Sequence, residues 1–125
     1  MGVQVSSGWI APLSGQYIAE NPPRIVFNVV DHKLRQRFTV AHELGHHILH
    51  HGNSFRDPAK NFSLNNYDPK EAGANRFAAE LLMPEDSLKF FVYRRGMKQV
   101  PQLAETFKVS EQAMLFRLKN LGWVK

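Results

Sequence analysis

The chain has 125 residues, of which 43% are apolar and 22% charged, as expected for one globular domain of ordinary composition. Its 16 Lys and Arg against 11 Asp and Glu give a formal net charge of +5, which permits an acidic or nucleic-acid partner without requiring one. The absence of cysteine excludes disulfides, thiol nucleophiles and cysteine-bound metal, and no apolar run approaches the roughly 20 residues of a membrane span, so we expect a single cytoplasmic domain over residues 1–125.

The N-terminal third of the chain predicts a small β-sheet. Gly8–Ala11 and Tyr17–Ala19 are short apolar runs, and Arg24–Val30 is rich in β-branched and aromatic residues. We expect three strands here, with Trp9 packed in the core together with Trp123 near the other end of the chain.

A long amphipathic helix follows the predicted sheet. Apolar residues recur at spacings of three and four through Arg35–His51, a segment without proline, and Gly52 marks its end. The polar, Asn-rich segment Asn53–Asn66 then predicts a surface loop.

Four more helical segments complete an α+β chain. Asp68 is a good N-cap, and Pro69 at the first helical position predicts a helix through Leu82. The remaining predicted helices are Pro84–Arg95, Pro101–Phe107 and Glu111–Leu121.

Five of the six histidines fall between residues 42 and 51 of the first predicted helix. His42 and His46 are one turn apart, so both imidazoles can bind one zinc ion, and Glu43 completes the His-Glu-x-x-His pattern as a general base. His46 with His50 and His47 with His51 share the same spacing, but no Glu follows the first member of either pair. We interpret His50 and His51 as solvated residues that suit the dipole at the helix end.

A catalytic zinc site needs a third protein ligand, and Glu71 in the next helix is the first candidate. Asn75, one turn later, would then orient a zinc-bound histidine through a hydrogen bond. The spacing also fits a capping box in which Glu71 bonds back to the Asp68 backbone, and spacing alone leaves both roles open. Further candidate ligands are Glu80, Asp57 and Asp68.

Two sequence blocks resemble the ImmA/IrrE family of metallopeptidases. They are RFTVAHELGHH at 37–47 and EAGANRFAAELLMP at 71–84, and they occur in the order and at a separation that fit that family. The strand ending at Asn28 and the segment Leu103–Leu121 are similar to the family's flanking parts, so the resemblance covers most of the chain.

The resemblance implies a zincin-like fold, in which a small twisted sheet packs on the active-site helix. It also implies zinc bound by His42, His46 and Glu71, with Glu43 as general base. Family members are associated with the cleavage or derepression of helix-turn-helix repressors, often in mobile elements or stress responses, and some with toxin-antitoxin pairs. We therefore expect a zinc peptidase that cuts such a repressor or antitoxin.

A DNA-binding or toxin-antitoxin protein with a structural zinc is the alternative. Residues 101–122 predict a helix-turn-helix segment, with Arg117, Lys119 and Lys125 as cations for DNA. We favour the interpretation that this segment packs on the zinc helix as part of the same domain. The side chains expected at that contact are Leu103, Phe107, Met114, Leu115, Leu118 and Leu121.

Overall fold

A computed structural model describes residues 2–9, 13–49, 52, 54–56 and 68–124. It contains a four-stranded mixed sheet in the order β1-β3-β2-β4, with β1 Gln4–Gly8, β2 Gly15–Ile18, β3 Arg24–Asn28 and β4 Ser54–Arg56. β1 is parallel to β3, whereas β2 is antiparallel to both β3 and β4. The helices are α1 Lys33–Ile48, α2 Pro69–Leu82, α3 Glu85–Lys89, α4 Val100–Phe107 and α5 Glu111–Asn120, and a π-helical segment, Phe90–Arg94, continues α3.

The observed strands differ from the predicted ones. β1 shares only Gly8 with the predicted run Gly8–Ala11, of which residues 10 and 11 lie outside the described residues. β1 is an outer strand of the described sheet, and four of its five residues are exposed, so no apolar pattern marks it. Trp9, expected in the core, is 79% exposed. β3 ends at Asn28, whose side-chain oxygen accepts from the Val30 amide, and Val29 and Val30 are exposed in the turn.

β4 is a further difference, because Ser54–Arg56 was expected to be loop. Three residues are too few to show a strand period in the sequence, and their pairing with β2 defines the strand. The rest of the predicted loop, from 57 to 66, and residue 53 lie outside the described residues.

The helices follow the predicted local signals, with small shifts at their ends. α1 begins two residues before the prediction, where His32 Nδ1 accepts from the Leu34 amide. Asp68 caps α2 by accepting from the Lys70 amide, as expected, and Ser110 caps α5 by accepting from the Ala113 amide. No helix in the described ranges combines the length and the apolar character that crossing a bilayer requires.

α4 and α5 pack in the same core as α1 and α2. Leu103, Met114 and Leu118 belong to one buried cluster with Phe38 of α1 and Ala78 of α2. Phe107 and Leu121 pack against this cluster, but Leu115, also expected there, is 38% exposed. The α+β, zincin-like architecture is therefore confirmed.

α1 and α2 approach each other closely at a glycine of α1. A Cβ at Gly45 would lie 3.1 Å from the Cα and 3.2 Å from the carbonyl oxygen of Ala74, and 3.2 Å from Phe77 Cδ1. Two of these three neighbours are backbone atoms, which cannot rotate away. Gly45 therefore sets the distance between the helices that carry the candidate site.

We expect Gly45→Ala to destabilise the metal-free protein. The alanine gains about 1 kcal/mol of helix propensity, but separating two packed helices costs about 1–3 kcal/mol, so we expect a net loss of about 1 kcal/mol and a Tm lower by a few degrees. Thermal unfolding measures this loss of stability. Gly2→Ala is the control, because nothing lies within 4 Å of a Cβ at position 2. A Tm equal to or above that of the wild type would contradict the close packing at Gly45.

Candidate metal centre

Two histidines of α1 and one carboxylate of α2 meet between these helices. His42 and His46 are each 1% exposed and lie one turn apart, with their rings in edge contact and centroids 4.8 Å apart. Glu71 reaches them from the first turn of α2. The three side chains each offer one possible metal-ligand atom, and these atoms all lie within 4.8 Å of one another.

The distances between the donor atoms suit a single small cation. His42 Nε2 is 3.2 Å from His46 Nε2. Glu71 Oε2 lies 2.8 Å from His42 Nε2, and Glu71 Oε1 lies 3.3 Å from His46 Nε2. Ligands at about 2.0–2.1 Å from a tetrahedral zinc ion stand about 3.3 Å apart. Two nitrogens and a carboxylate form a donor set that zinc accepts, so the residues fit this metal.

The Glu71 carboxyl group is ionised at neutral pH. Its burial alone would raise the pKa, but hydrogen bonds from His42 and His46, together with their charge, lower the pKa from 4.5 to about 2. Metal ligands must be deprotonated, and Glu71 is already in that form.

Asn75 holds the His42 ring from the side opposite Glu71. Its Oδ1 lies 2.7 Å from His42 Nδ1 in a buried contact. An amide oxygen can only accept, so Nδ1 carries the proton and donates. Nε2, which faces Glu71 and His46, is then the nitrogen open to a metal ion, which would take the place of the proton shared between Nε2 and Glu71.

Glu43 lies on a different face of α1. Its side chain is fully buried and faces β2, where Gly15 approaches it closely. The face with His42 and His46 is directed at α2 instead, as the contacts to Asn75 and Glu71 show.

The other candidate ligands are not brought to this cluster. Glu80 is exposed further along α2, and Asp68 is the exposed N-cap of that helix. Asp57, His50 and His51 lie outside the described residues.

Sequence reasoning missed two features beside the centre. The Tyr17 hydroxyl and His47 Nδ1 share a hydrogen bond of 2.7 Å, and Gly15 fits closely against α1. Thirty residues separate Tyr17 from His47, and no local pattern relates them.

Arg117, one of the cations predicted to bind DNA, is buried in the structure. Arg117 is 6% exposed, and its Nε donates to the Met83 carbonyl oxygen at 2.9 Å, just beyond the end of α2. A buried guanidinium that caps a helix does not reach a phosphate backbone.

Two comparisons with known proteins bear on this site. The sequence model of a family named Peptidase_M78 and described as the IrrE N-terminal-like domain matches residues 7–119, a range that includes every residue of the candidate centre. No curated protein matches the chain.

Proposed function

The chain belongs to the peptidase family of IrrE N-terminal-like domains, and from this membership we propose that it is a zinc-dependent metallopeptidase that cuts a helix-turn-helix repressor or antitoxin. The observation that carries the proposal is the buried convergence of His42, His46 and Glu71, whose spacing suits one zinc ion. The substrate class is supported by the resemblance of residues 37–47 and 71–84 to ImmA/IrrE proteins.

His42, His46 and Glu71 would hold the metal and leave a fourth position for water or substrate. Zinc bound there lowers the pKa of a water molecule and polarises a peptide carbonyl group. The charged Glu71 offsets part of the cation's charge in a buried setting, and Asn75 keeps the His42 ring in the tautomer that binds metal.

Glu43 is the proposed general base. It accepts a proton from the attacking water on its carboxylate and then donates this proton to the leaving amine nitrogen. Its position next to His42 in sequence supports this role, because consecutive residues of a helix lie on adjoining faces.

The proposal is tested by metal-dependent proteolysis. We expect the zinc-loaded protein to cleave β-casein, an unfolded substrate, at few sites, to stop when a chelator removes the metal, and to recover when zinc is restored. Mass spectrometry identifies the cut bonds, and co-expression with helix-turn-helix repressors tests the substrate class.

A protein that binds one zinc ion per chain and leaves both casein and repressors intact would refute the peptidase proposal. Binding to a DNA fragment that weakens steeply with salt would then favour the DNA-binding alternative.

A further inference from the structure

β2 runs along the face of α1 that carries Glu43. Thr39, Glu43 and His47 are spaced by four residues and form one row on this face. Gly15 and Tyr17 are alternate residues of β2, so they point to the same side of the sheet, and both contact this row.

The first contact is made by Gly15. A Cβ at this position would overlap Thr39 Cγ2 and would lie 3.2 Å from Glu43 Oε2 and 3.4 Å from Glu43 Cγ. Thr39 and Glu43 are both fully buried, so neither side chain borders on solvent. The φ angle of Gly15 lies outside the positive range that favours glycine. Glycine is required here because a side chain would not fit against Thr39 and Glu43.

The second contact is made by Tyr17, two residues along β2. Its hydroxyl is 2.7 Å from His47 Nδ1, and the two rings meet edge to face with centroids 5.6 Å apart. Tyr17 pairs with Ile25 of β3 on one side and Ser54 of β4 on the other. The strand is thus fixed by both neighbours, and α1 is held against it one turn before and one turn after Glu43.

We propose that β2 is the positioning element of the general base, with Gly15 and Tyr17 as the residues that fix the Glu43 carboxylate. Gly15 forms the wall against which Oε2 rests, and the hydrogen bond between Tyr17 and His47 fixes the rotation of α1 about its axis. This role depends on the proposed peptidase function. It adds two residues outside the proposed metal ligands and the general base.

The test combines two substitutions, one that adds a methyl group to Gly15 of β2 and one that removes a methyl group from Thr39 of α1. Gly15→Ala alone overlaps Thr39 and lowers the Tm of the metal-free protein by about 5–15 °C. Thr39→Ser removes the overlapping Cγ2 atom, so the double variant Gly15→Ala/Thr39→Ser recovers most of that loss. The new methyl group still lies against Glu43 Oε2 and displaces the carboxylate.

Kinetics separate positioning from stability. In the folded double variant we expect kcat to fall by about 3- to 10-fold with KM within about threefold of the wild type. A methyl group 3.2 Å from Oε2 shifts the carboxylate by a few tenths of an ångström, and a full 1 Å misplacement of a catalytic group costs up to about 10²-fold. The substrate is a fluorogenic peptide built on the first casein bond that the wild type cuts. Tyr17→Phe, which keeps the ring, should lower kcat in the same direction, and zinc content should stay at the wild-type value in both variants.

Gly2→Ala is the control and should keep the wild-type kcat, and Thr39→Ser alone is the reference from which the effect of the added methyl group is measured. Wild-type kcat in a folded Gly15→Ala/Thr39→Ser variant would overturn the positioning role and leave the peptidase function standing. Failure of the zinc-loaded wild type to cleave would overturn the peptidase function instead. In that case a crystal structure of the double variant decides the packing role, since an unmoved Glu43 carboxylate would overturn it.

Discussion

Replacing Glu43 with glutamine is expected to lower kcat for peptide cleavage by about 10²–10⁴-fold while zinc binding is retained. Glutamine keeps the size of the side chain, so the buried site facing β2 remains filled. It cannot accept a proton at neutral pH, so the attacking water loses its base. The proposed metal ligands His42, His46 and Glu71 are unchanged, and zinc content should equal that of the wild type.

The measurement compares initial rates and metal content on the same preparations. Glu43→Asp is the companion variant, because it keeps the charge but shortens the side chain by one methylene group. We expect its kcat to lie between those of the wild type and Glu43→Gln. A Glu43→Gln protein that keeps the wild-type kcat would show that another group takes the proton. Loss of zinc from this variant would show instead that Glu43 serves to build the metal centre.

The residues of the candidate metal centre can be predicted from the sequence because they lie on two helices at regular spacing. His42 and His46 are four residues apart, as are Glu71 and Asn75, and an α-helix places such pairs on one face. Caps at Asp68 and Ser110 locate helix starts through local hydrogen bonds. Each of these signals is confined to a few consecutive residues.

Contacts between distant segments leave no such signal. β1 is an outer strand of the described sheet and carries little apolar character, so its pairing with β3 is visible only in three dimensions. Arg117 reads as a surface cation, yet it is buried because the Met83 carbonyl oxygen needs a donor. The glycine at position 15 reads as a turn residue, whereas its reason is the approach of Thr39 and Glu43.

Removing a ligand of the metal centre is expected to have the second large effect. His46→Ala and Glu71→Gln should each reduce bound zinc from about one per chain to a small fraction, because two remaining protein ligands do not hold a catalytic zinc ion. Loss of a single supporting residue around a metal costs about 10–100-fold in affinity, and loss of a ligand should cost more. Peptide cleavage should fall with the zinc content.

Elemental analysis measures the bound zinc, and thermal unfolding measures how much zinc stabilises the protein. Neither measurement needs a substrate. At a zinc concentration 100 times the Kd, binding stabilises the folded protein by about 2.7 kcal/mol, so the wild-type Tm should rise with added zinc and the Tm of both variants should not. Glu80→Gln is the matched control for Glu71→Gln, since it makes the same change at an exposed position of α2. If Glu71→Gln retains full zinc and loses only stability, then Glu71 acts in the capping box with Asp68, and the third ligand must be sought elsewhere in the chain.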